Sequence, residues 1–155
     1  MGAVKIEIIG VDALKERLSK ATGEAAAQAT KQLNKGALLI RNHAVKSIKT
    51  PSPGRVYRKG KAKRKSGGSV SSVGIHIASK AGDAPNVDTG NLWRNISVVG
   101  ASKGKRPFAL IRSRAAYSSH LEFGTRKMDA RPFMYPALKA NRKKILLGIK
   151  KALDI

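Results

Sequence analysis

Val4, Ile6 and Ile8 alternate with Lys5 and Glu7, the two-residue period of a half-buried strand, and Gly10 closes the run. From Asp12, a candidate N-cap, the period changes. Val11, Leu14, Leu18, Ala21, Ala25, Ala29, Leu33, Ala37, Ile40, Ala44 and Ile48 recur every three or four residues and predict one stripe of a long helix. Gly23 and Gly36 each weaken that helix by about 1 kcal/mol against alanine, so a kink or break is expected near Thr22-Gly23. The small side chains of the stripe invite close approach by another element, from the same chain or a neighbouring subunit.

After Ile48 the periodicity stops. Residues 50–72 hold Pro51, Pro53, Gly54, Gly60, Gly67 and Gly68 among lysines and arginines, and read as an exposed, mobile basic loop. Ile75 to Ser79 predicts a short strand, followed by a turn-rich stretch to Pro85. Asp88 is placed to cap a helical turn in which Leu92, Trp93 and Ile96 share the buried side. Ile96 to Val99 and Ala109 to Ile111 predict two strands joined through a hairpin region at Gly100 to Pro107.

The densest punctuation lies between Ala116 and Leu138. Gly124-Thr125 ends the Leu121-Glu122-Phe123 run with a residue that tolerates positive φ. A last helix can begin at Pro132 or Pro136, since the first turn leaves N–H groups unpaired in any case. Pro136 to Leu153 carries the stripe Leu138, Ile145, Ile149 and Ala152 or Leu153. Phe123, Phe133, Met134 and Tyr135 are expected to form an aromatic cluster that anchors this helix to an antiparallel sheet. The expected fold class is α+β: a long N-terminal and a C-terminal helix packed on a small, mainly antiparallel sheet, with residues 1–155 forming one domain.

Charge changes this picture most. The chain has 32 Lys and Arg against 9 Asp and Glu, a formal +23, and no acidic residue occurs between Glu24 and Asp83. Such a field attracts polyanions. Arg55, Arg58, Lys59, Lys61, Lys63, Arg64 and Lys65 are the candidate phosphate contacts, with Tyr57 available to stack on a base. With no cysteine, disulfides, thiolate metal sites and a catalytic cysteine are excluded. No stretch approaches the ~20 apolar residues that span a bilayer, and the first residues lack a secretory pattern, so a soluble, unexported protein without membrane partners is expected.

Candidate chemistry is sparse. Asp88-Thr89-Gly90 matches the aspartic-protease tripeptide, but the turn-forming Asp83-Ala84-Pro85-Asn86 precedes it where those enzymes have an apolar strand, and Asn91 follows where they have a small residue. His43, His76 and His120 are dispersed, with no metal-ligand spacing, and no nucleophile elbow or phosphate loop is present. No catalytic, metal or cofactor site is assigned. Glu122 is expected to be partly buried, bonded to a cation such as Arg131 or Arg94, or capping backbone N–H groups.

Taken in order, these motifs resemble a known family. His76-Ile77-Ala78-Ser79 with Gly82-Asp83-Ala84-Pro85, then Asp88-Thr89-Gly90-Asn91-Leu92 with Ile96, then Tyr117 and Glu122-Phe123-Gly124-Thr125, then Arg131-Pro132-Phe133-Met134 with Pro136-Ala137-Leu138 resemble the tail-completion, or neck, proteins of bacteriophages with long non-contractile tails. The resemblance implies a non-enzymatic virion subunit, made in the host cytoplasm, that forms a ring of six around the DNA channel. It also implies contacts with a connector, tail-terminator or tail-tube neighbour and non-specific contacts with genomic DNA. The motif residues, together with Trp93, are the expected interface. A tail terminator, or a free basic nucleic-acid-binding protein, is the alternative reading.

Overall fold

In a computed structural model, the chain is described at residues 5–6, 23–58, 75–99 and 108–153. The elements are β1 (Lys5–Ile6), α1 (Gly23–Lys49), β2 (Val56–Arg58), β3 (Ile75–Ile77), α2 (Asn91–Arg94), β4 (Ile96–Val99), β5 (Leu110–Ser113), α3 (Ser118–Phe123) and α4 (Met134–Leu153). The α+β class is as expected, with the antiparallel strands divided between two sheets. One has the order β1-β5-β4 and the other pairs β2 with β3.

The stripe read from the sequence is the buried side of α1. Ala29, Leu33, Ala37, Ile40, Ala44 and Ile48 are all buried, and each buried Ile or Leu adds about 1.5–3 kcal/mol. The stripe is covered from within the chain, by α4. A Cβ on Gly36 would meet the Ile145 side chain at 3.0 Å, so this glycine lets α4 approach closely. Asn141 touches His43, and Gln32 lies beside Gly148. Numbers rising along α1 therefore meet numbers falling along α4, and the helices run antiparallel.

The three-stranded sheet also packs against α1, through β4 and β5. Ile96 pairs with Ser113 and Val98 with Ile111, and the alternation along β5 buries Ile111 and Ser113, as a half-buried strand requires. Arg41 Nε donates to the Ile96 carbonyl oxygen at 3.1 Å and ties the helix to the start of β4.

Three expectations change. Val56–Arg58 lies within the expected basic loop but forms β2, because its backbone pairs with Ile75–Ile77. Residues 59–72 of that loop, with Lys59, Lys61, Lys63, Arg64 and Lys65, lie outside the described residues, as do the helical stripe from Val11 to Ala21 and the Gly100–Pro107 connection. The last helix starts two residues before Pro136, which then occupies its first turn. Phe133 and Met134 are in the core, but Phe123 is 73% exposed and Tyr135 62% exposed, so the expected four-residue cluster is half core and half surface. Helical rotation explains Tyr135: the residue after a buried position points about 100° away from it.

Candidate interaction groove

Three turns build the site. In the first, Gly124 has φ 77° and ψ −177°, a combination open essentially only to glycine. A Cβ there would come within 2.9 Å of the Met128 carbonyl oxygen and 3.0 Å of the Ala130 nitrogen. That closeness lets Thr125 and Met128 bridge and lets the Arg131 N–H reach the Leu121 carbonyl oxygen at 2.6 Å. The chain thus doubles back across α3 before α4 begins.

Glu122 fastens this return. Its buried carboxylate accepts the backbone N–H groups of Phe133 at 2.9 Å, Met134 at 3.0 Å and Tyr135 at 2.7 Å. Those are first-turn donors with no partner inside the helix, facing the positive end of its dipole. Of the two expected roles, capping is the one seen. Arg131 instead donates through Nε to the Ser79 carbonyl oxygen at 3.1 Å, and Arg94 through Nη1 to the Thr89 carbonyl oxygen at 3.2 Å.

The second turn is Asp88-Thr89-Gly90. Gly90, at φ 79°, flanks α2, and the Thr89 hydroxyl accepts the Asn91 N–H at 3.3 Å. Gly90 is the residue that flanks α2, and the Asp88 carboxylate lies 3.9 Å from His76 Nδ1. Leu92 enters the core while Trp93 stays half-buried, with Lys49 Nζ 3.9 Å from its ring centre and the Arg94 guanidinium at 5.1 Å. Such stacked cations contribute about 0.5–2 kcal/mol.

The third turn joins Ser52 to Asn86. The Asn86 amide accepts the Ser52 N–H at 2.7 Å and donates to the carbonyl oxygens of Ser52 at 2.7 Å and Ile77 at 2.9 Å. The Ser52 hydroxyl donates to Asp83. Gly54 permits the contact: a Cβ there would lie 1.7 Å from the Ala78 carbonyl oxygen.

These turns surround one open groove of about 790 Å³. Asp88, Thr89, Gly90, Leu92 and Trp93 line it from one side, Leu121, Met128, Asp129 and Arg131 from another, and Tyr57, His76 and Tyr117 complete it. Widely spaced motifs therefore converge on one surface. Tyr57 faces His76 across β2 and β3, with the Arg55 guanidinium 5.3 Å from its ring centre. Phe123, Gly124, Thr125, Pro132, Phe133, Met134 and Pro136 are not among the lining residues; they hold the turn and helix that position it.

The sequence named Gly54 only as a loop residue, Asn86 only as part of a turn and Ser79 only as the end of a motif, without the contacts they make. The only trace of their roles there was an amide residue directly after Pro85 and a glycine directly after Pro53. Among the described residues no group of three or more His, Cys, Asp or Glu could hold a metal, and no helix is long and apolar enough to cross a membrane. The groove mixes aromatic rings with charges of both signs, a surface suited to a protein neighbour. A family model described as "Bacteriophage HK97-gp10, putative tail-component" matches residues 12–124. No curated protein and no solved structure matches the chain.

Proposed function

The chain belongs to the HK97-gp10-like bacteriophage family, and from that family's description as a tail component we propose that it is a structural virion protein of the neck. It completes the tail or joins it to the head as a homo-oligomeric ring, six copies around the DNA channel. The observation that carries this reading is the family match, which runs from α1 to α3 and takes in the groove residues up to Leu121. The geometry supports it in a second way. Asp88-Thr89-Gly90 and Glu122-Phe123-Gly124-Thr125 serve as turns and caps that shape a surface, which is what an assembling subunit needs.

The groove, with the exposed Phe123 and Tyr135 beyond it, is the surface assigned to adjacent ring subunits and tail proteins. The basic segment around Arg55 and Arg58 is assigned to DNA phosphates. A ring repeats that segment at fixed spacing, so weak contacts combine through effective concentration. Assembly takes place in the host cytoplasm and the protein ends in the virion.

Native mass spectrometry of the purified protein, alone and with its tail neighbours, tests this reading together with electron microscopy of assembled particles. A closed ring at the joint between head and tail is expected. A persistent monomer that binds duplex DNA tightly with a steep salt dependence would overturn it in favour of a free nucleic-acid-binding protein.

A further inference from the structure

Ile145 and Ile149 mark the buried side of α4. At about 100° per residue, positions 135, 139, 142, 143, 146 and 150 fall on a neighbouring strip spanning about 100° of arc. The strip reads Tyr135, Lys139, Arg142, Lys143, Leu146 and Lys150, and all six are exposed. Leu146 is 42% exposed, and the adjoining Leu147 is 66% exposed. Met134–Leu153 contains no aspartate or glutamate. The second face of this helix is therefore apolar and purely cationic at once, and the core does not use it.

We propose that this strip is a docking face for a different protein, one that presents carboxylates around an apolar ridge. Three observations favour that occupant. A second copy laying the same strip against this one would set lysine against lysine, which is repulsive. A second copy offering its groove brings Asp88 and Asp129, but Lys127 and Arg131 line the same groove and cancel them. Nucleic acid would engage the cations through its phosphates and leave Leu146 and Leu147 in water. An acidic amphipathic protein surface satisfies both halves of the pattern: it covers the leucines and pairs the lysines, with charge setting orientation and encounter rate. The inference rests on the surface of α4 alone and holds whether or not the chain forms a ring.

The test uses the full-length protein and four probes: a labelled amphipathic helical peptide with a leucine strip flanked by glutamates, polyglutamate of equal charge, a short DNA duplex, and phosphatidylglycerol vesicles. The amphipathic peptide is expected to bind about tenfold more tightly than polyglutamate, a difference of about 1.4 kcal/mol. The double variant L146S/L147S should abolish that preference while keeping its melting temperature and its affinity for the duplex and the vesicles. Replacing Lys139, Arg142 and Lys143 by glutamine should weaken both peptides. Equal binding of the two peptides by the unmodified protein, or a preference that survives in the double variant, would overturn the proposal. So would a double variant that loses duplex or vesicle affinity by the same factor as peptide affinity, which would assign the strip to nucleic acid or lipid.

Discussion

Replacing Glu122 is the most informative perturbation of the fold, because one side chain satisfies three backbone donors at the start of α4. Phe133 and Met134 are buried, so in Glu122→Ala their N–H groups lose their partner where water reaches them poorly. An unpaired buried donor costs about 1–3 kcal/mol. The Tyr135 N–H is only partly buried and can be rehydrated, so it adds less. The sum is about 3–5 kcal/mol, a large share of the roughly 5–15 kcal/mol that holds a domain together. At about 2–4 °C per kcal/mol for a chain of this size, the melting midpoint should fall by roughly 6–20 °C. Glu122→Gln controls for lost volume. It keeps one acceptor oxygen in the same place but discards the charge and turns an amide donor toward other donors, so about half the loss is expected. Thermal melts by circular dichroism should rank the proteins as unmodified, then glutamine, then alanine. A midpoint for Glu122→Ala within 2 °C of the unmodified protein, by the same scale, would refute the claim that this carboxylate fastens the helix.

Gly54→Ala puts a methyl where the Ala78 carbonyl oxygen sits 1.7 Å away. The β2–β3 ribbon must then separate from the 52–54 segment, with a loss of about 1–3 kcal/mol in a denaturant titration. Gly124→Val combines a glycine-only backbone with a clash at Met128 and Ala130, and should cost at least about 1–3 kcal/mol and impair assembly; unchanged melting and assembly would contradict the turn. Asn86→Asp keeps the acceptor for the Ser52 N–H but sets a carboxylate against two carbonyl oxygens, so a fall of about 2 kcal/mol is expected from urea unfolding. Neutralising Arg58, Lys59, Lys61, Lys63, Arg64 and Lys65 should flatten the salt dependence of duplex binding by nearly 1 per lost phosphate contact while sparing the melting midpoint.

By itself the sequence determined the elements whose signal is periodic. The stripe from Ala29 to Ile48 repeats often enough to outweigh Gly36, and Ile96 to Val99 is a short run rich in β-branched residues, so α1, β4 and the class of fold were legible. Gly124 announced its turn because no other residue accepts that backbone geometry. The order of short motifs is enough to point to a phage tail family.

Tertiary structure decided whatever depends on partners far apart in the chain. Val56–Arg58 carries no strand signal of its own and extends only because Ile75–Ile77 lies beside it. Phe123 and Phe133 are the same residue type ten positions apart in the same stretch, yet one is 73% exposed and the other 1%, since only the folded return of the chain across α3 says which side faces the core. Glu122 could have paired with an arginine or capped a helix. Sequence fixes which groups a side chain can satisfy, whereas the choice among them follows from which unpaired donors the packed chain brings within about 3 Å.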